Sequence, residues 1–140
     1  MPRADFYLID KPRFRADPLL LVCELARRAF DASQPTAILV RSRAEAELLD
    51  EKLWEFDPDA YVPHQIAGDE DDELTPVLIV PPEFETPPRP LLVNLREACV
   101  AVRCEVVKEV VAADPAEREG SRLRWSEYKR RGYELRKFDM

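Results

Sequence analysis

Asp17–Ser42 reads DPLLLVCELARRAFDASQPTAILVRS, and its two halves obey different periods. In the first half Leu21, Leu25, Arg28 and their neighbours follow helical spacing. Asp17 stands in the capping position and Pro18 at the first helical position, where a missing N–H is harmless. In the second half TAILVRS (Thr36–Ser42) is a short apolar run, which suits a buried strand. A helix that feeds an apolar strand across a short break is the unit of an α/β sheet.

Working outward, the same alternation continues. Ala4–Ile9 (ADFYLI) reads as a buried strand bounded by Asp10 and Pro12. Ser42 caps a second helix, RAEAELLDEKLWEF, whose apolar face is Ala46, Leu49, Leu53 and Phe56. Beyond Asp57–Ala60, YVPHQI reads as a short strand or edge segment interrupted by Pro63. GDEDDELTP is an acidic, solvated loop, PVLIV a strand closed by Pro81 and Pro82, and PPEFETPPRP a proline-rich connector. LLVNL is a strand, Arg96–Val102 a short helix or turn, and CEVVKEVV a strand in spite of its charges. Pro115, behind Asp114, opens a long basic helix expected to run over about 115–138, with Gly120 and Gly132 as weak points. The pattern predicts a single α/β domain over 1–140 with a largely parallel sheet flanked by helices, and no internal repeats.

Charge is segregated along this chain. The net charge is -7, yet Asp114–Met140 carries 8 Lys+Arg against 6 Asp+Glu, a net of +2. From Glu45 to Glu73 twelve acids face only Lys52. Segregated charge implies oriented partners. Cys23, Cys99 and Cys104 form no CxxC pair, and His64 is the one histidine, so reduced and mostly buried thiols of a cytosolic protein are expected rather than a zinc site. MPRADFYLID lacks the basic segment and long apolar run of a signal peptide, and no apolar run approaches the roughly 18 residues of a membrane span. A soluble protein, neither exported nor inserted, is the expectation.

Catalytic signatures are missing where an α/β sheet would carry them. The three glycines, Gly68, Gly120 and Gly132, open no helix after a strand, so neither GxxxxGK[ST] nor GxGxxG is present. There is no GxSxG, and no serine has an adjacent histidine. His64 is the one candidate general base, against which stands a strand-end imidazole satisfied by backbone hydrogen bonds. Asp69–Glu73 lacks the spacing of a calcium loop and reads as solvated.

At about 100° per residue Arg118, Arg122, Trp125 and Lys129 share a narrow arc of the last helix. Two guanidiniums, an indole and an ammonium suit a ligand that offers carboxylates and an apolar group. The alternative is a solvated charged face with Trp125 turned partly into the core. Direct single-stranded nucleic-acid binding, with Trp125 stacking on bases, is a further reading. An acidic body with so small a basic excess opposes it.

FYLID, CELARRAF, AELLDEKLWEFDPDAYVPHQIAGD and RWSEYKRRGY resemble, in order and spacing, the chi subunit of bacterial DNA polymerase III. LDEKLW followed by YVPH is the most specific part; the acidic and proline-rich region, about 69–90, matches least. The resemblance implies a Rossmann-like fold without nucleotide binding, no cofactor, and a non-catalytic role in DNA replication. It implies as partners the acidic C-terminal tail of single-stranded DNA-binding protein, a psi-like subunit that links to the clamp loader, and an XPD-like helicase, with DNA contact mainly indirect. By position the tail-binding residues fall on Arg118, Arg122 and Trp125, with Lys129 completing the stripe. The family's tyrosine is replaced by Trp125, and a lysine by Ser126. Trp54, Tyr61 and Pro63 match the face used for psi or the helicase; Trp54 suits core packing equally, whereas Tyr61 is expected at the surface.

Overall fold

The protein is described by a computed structural model covering residues 1–140. Seven strands form one sheet: β1 (Arg3–Leu8), β2 (Thr36–Leu39), β3 (His64–Ile66), β4 (Val77–Val80), β5 (Leu91–Asn94), β6 (Val106–Val111) and β7 (Glu134–Asp139). Their spatial order is β3-β4-β2-β5-β6-β1-β7, and every pairing is parallel. β2, β4 and β5 are buried along their whole length, which is why these segments read as unbroken apolar runs rather than as alternation.

Four helices complete the fold: α1 (Pro12–Ala16), α2 (Pro18–Asp31), α3 (Arg43–Glu55) and α4 (Pro115–Arg130). Val22, Cys23 and Ala26 of α2 join Ala46, Leu49 and Leu53 of α3 over Ile38, Val77, Ile79 and Val93, making the core of one face. On the other face Tyr128 of α4 meets Ala4, Phe6, Leu92 and Val107. Three layers result, and the two faces bury separate cores.

Local chemistry explains the boundaries. Ser42 caps α3 by accepting the Glu45 amide at 3.1 Å, and Asp114 caps α4 by accepting the Ala116 amide at 2.7 Å ahead of Pro115. Asp17 departs from the expectation: its carboxylate pairs with Lys52 on α3 and caps nothing. The last helix is the main correction, for it ends at Arg130 and not near 138. Gly132 adopts φ +88, its amide bonds the Lys129 carbonyl and the Tyr133 amide bonds the Tyr128 carbonyl, a Schellman stop. The released chain returns as β7 beside β1. Arg96–Val102 contains no helix, and α1 is an element the spacing did not announce.

At the carboxyl ends of the strands, where open α/β sheets hold ligands, this chain places its own side chains. Arg96 donates to the Val40 and Val80 carbonyls at 2.9 and 2.8 Å. Glu109, wholly buried, accepts from Arg124 at 2.8 Å, Tyr128 at 2.6 Å and Asn94 at 2.8 Å. Burial pushes the Glu109 carboxyl up, and the Tyr128, Arg124 and Asn94 donors oppose that shift. The network fastens α4 to β5 and β6, so the outer arc of α4 is held in a fixed place.

Candidate partner-binding sites

α4 turns its Ser121, Arg124 and Tyr128 arc inward, all three buried. The neighbouring arc, from Arg118 to Trp125, therefore lies along the seam between helix and sheet. There Arg118, Ser121, Arg122, Trp125 and Ser126 form one wall of an open cleft of about 460 Å³. Phe6 and Leu8 of β1 and Lys137 of β7 form the other. Trp125 is half-buried and packs edge-on against Phe6, ring centroids 5.1 Å apart, so its indole is both core and cleft wall.

The cations differ in their freedom. Arg118 donates through Nη2 to the Ile9 carbonyl at 2.6 Å, and its Nε is buried without a partner. Arg122 is exposed. Lys137, exposed on β7, adds a third cation that no helical spacing reveals. Lys129 lies one turn beyond Trp125, exposed and outside the cleft. Three of the four stripe residues thus come together, with an apolar base of Phe6 and Leu8 that sequence reasoning missed. Such an arrangement holds a carboxylate beside an apolar side chain: guanidiniums clamp the anion and the rings supply contact area.

A second exposed patch lies on α3 and the segment behind it. Trp54 is 59 % exposed and Tyr61 66 % exposed, with ring centroids 6.0 Å apart. Core packing of Trp54 is thereby excluded. Pro63 is half-buried beside them. His64 lies beneath, its ring 4.9 Å from Trp54 and its side chain fully shielded. Its Nδ1 contacts the Val62 carbonyl at 2.7 Å and its Nε2 the Asp50 carbonyl and the Asp50 carboxylate, each at 3.2 Å, so both ring nitrogens are engaged within the fold and the ring supports the aromatic pair.

The two sites occupy opposite limits of the molecule. β3, behind the aromatic pair, and β7, beside the cleft, are the two edges of the sheet. Strands lie about 4.8 Å apart, so the edges are separated by roughly 29 Å. The acidic run near Asp69–Glu73 serves the fold: Asp72 accepts from Gln65 at 2.8 Å and from the Gly68 and Asp69 amides at 2.9 and 3.2 Å. Beside it Arg89 donates to the Asp72, Thr75, Pro76 and Thr36 carbonyls, fastening the proline-rich connector to the sheet.

Comparison with known proteins gives consistent matches. Residues 1–136 match the family model for the DNA polymerase III chi subunit, HolC. DNA polymerase III subunit chi of Pseudomonas aeruginosa is 34% identical over 140 residues, covering 96% of this chain and 94% of that protein. The Escherichia coli K12 protein of the same name is 30% identical over 142 residues, covering 96% of each. Solved structures of low sequence identity share the fold. S. cerevisiae Dbp5 aligns with a TM-score of 0.65 at 15% identity, over 97% of this chain and 41% of that one. T4 UvsW aligns with a TM-score of 0.69 at 7% identity, over 99% of this chain and 41% of that one. At such identity the likeness is one of fold alone.

Proposed function

The chain belongs to the DNA polymerase III chi subunit family, and on that premise we propose that it is a non-catalytic adaptor of DNA replication with two separate docking faces. The cleft of Arg118, Arg122, Trp125 and Lys137 receives the acidic C-terminal tail of single-stranded DNA-binding protein. The aromatic pair Trp54 and Tyr61 receives a psi-like subunit of the clamp loader, or an XPD-like helicase in its place. DNA itself is reached mainly through these partners.

One observation carries this reading: cations from α4 and β7 surround an apolar base of Phe6, Leu8 and Trp125. A tail of aspartates that ends in Ile or Pro and a phenylalanine carboxylate offers the complementary groups. The separation of the faces across the sheet supports simultaneous occupancy, as a bridge requires. Calorimetric titration with such a tail peptide and, separately, with a thymidine oligonucleotide provides the test. Peptide binding is expected. A response to the oligonucleotide alone would replace the adaptor by direct nucleic-acid binding.

A further inference from the structure

The two edges of the sheet are guarded unequally. β3 is three residues long and follows Pro63, a combination that discourages pairing with another chain. β7 is six residues long, contains no proline and pairs only with β1. The amides of Glu134 and Met140 donate to the Pro2 and Leu8 carbonyls at 2.9 and 2.8 Å. A parallel ladder repeats every two residues, so Arg136 and Phe138 also turn their backbone groups toward β1. The N–H and C=O groups of Leu135, Lys137 and Asp139 consequently face outward along the open edge.

This open edge adjoins the cleft. Lys137 is paired with Phe6, and both side chains line the cleft on the α4 side. α4 runs opposite to the strands: Arg118 lies at the carboxyl end of β1, bonded to Ile9, and Trp125 lies lower, against Phe6. Around β7 the charge is basic, with five Lys+Arg against three acids from Glu127 to Asp139.

We propose that an extended acidic peptide with a free carboxyl terminus adds to β7 as an eighth, parallel strand. The direction follows from charge. A terminal carboxylate at Arg118 and Arg122 lies beside the carboxyl ends of the strands, and the acidic residues before it then run down past Lys137 toward Lys129. An antiparallel peptide would reverse that match. Main-chain bonds to Leu135, Lys137 and Asp139 supply affinity with little sequence demand, while the cleft selects the terminal residues. The inference rests on the tail-binding reading of the cleft and adds the conformation of the tail.

Amide exchange followed by NMR on the full chain tests it, with a synthetic peptide of aspartates ending in Ile-Pro-Phe as probe and calorimetry to measure its binding. Saturating peptide should slow exchange at Leu135, Lys137 and Asp139 by about tenfold or more and leave Arg136 and Phe138 unchanged. N-methylation of successive peptide residues should weaken binding about threefold to tenfold at alternate positions only. Binding without protection at those three amides refutes the added strand while the tail-binding reading stands. Absence of binding refutes both. Protection without peptide that grows with protein concentration assigns the edge to a second copy of this chain and likewise overturns the proposal.

Discussion

Arg122→Ala should weaken tail-peptide binding about tenfold to thirtyfold without disturbing the fold. Arg122 is exposed and lines the cleft one turn from Arg118 and nearly one turn from Trp125. A hydrogen bond between charged groups contributes about 1.5–3 kcal/mol. The cleft is open to solvent, which screens the pair and places the value in the lower half, about 1.5–2 kcal/mol. At 1.4 kcal/mol per decade that is the stated factor. Arg118 is a poorer probe, because its Nη2 holds the Ile9 carbonyl and its loss would disturb the end of β1 as well. Calorimetry on four combinations, wild type and Arg122→Ala with free-acid and amidated peptide, isolates the contact. Amidation should cost as much as the mutation, and the two changes together should cost little more than either. Arg122→Lys should restore part of the affinity, since an ammonium lacks the planar fork. The melting temperature should stay within about 2 °C of wild type. If Arg122→Ala binds the free-acid peptide as tightly as wild type, the stripe is a solvated helix face and the assignment is wrong.

Tyr61→Ala should weaken the psi-like or helicase partner by about 2 kcal/mol while tail binding persists; equal loss of both in binding assays, with an unchanged circular dichroism spectrum, would show that the faces are not independent. Glu109→Ala leaves the Arg124 guanidinium buried without its anion and should lower stability by about 3–5 kcal/mol in urea titration; a loss below about 1 kcal/mol would mean the network is dispensable. Burial alone would raise the Asp72 carboxyl, but the Gly68 amide, the Gln65 side chain, the Asp69 amide and the Arg89 charge hold it below the ordinary carboxylate range. Its stabilising contribution is therefore present above the unfolded value of about 3.9 and lost as pH falls through the lower folded value. Asp72→Asn should flatten the acid limb of stability against pH, and an NMR titration of Asp72 above the ordinary value would contradict this. Burial pushes the Cys23 thiol up to about 12 and that of Cys104 to about 11, so a disulfide reagent at pH 8 should modify half-buried Cys99 before either, as peptide mapping by mass spectrometry would show.

The misreading of the last helix shows why some features stayed hidden. Glu134–Asp139, ELRKFD, is charged at four of six positions and carries no apolar run, so its strand state is dictated by the free edge of β1. Gly132 marked the break in advance, but a glycine in a helical pattern signals a weak point as readily as a stop. Glu109 gave a quieter hint. A carboxylate inside VVKEVV asks for a buried partner, yet nothing local says that Arg124 and Tyr128, one helical turn apart on α4, are that partner.

Taken alone, the sequence determined whatever depends on near neighbours: the alternation of helices and strands, the Ser42 cap, the start of the last helix at Pro115, the absence of a glycine-rich phosphate loop, and the arc shared by Arg118, Arg122 and Trp125. Periodicity and capping act over a few residues, and a few residues suffice to read them. Tertiary structure alone decided that β7 exists, that Phe6, Leu8 and Lys137 complete the cleft while Lys129 stays outside it, and that Trp54 is exposed. Those outcomes depend on strand order and register between segments far apart in the chain, as in the bond from Arg118 to Ile9. No local pattern encodes such a pairing, because its free energy is realised only when the whole sheet has assembled.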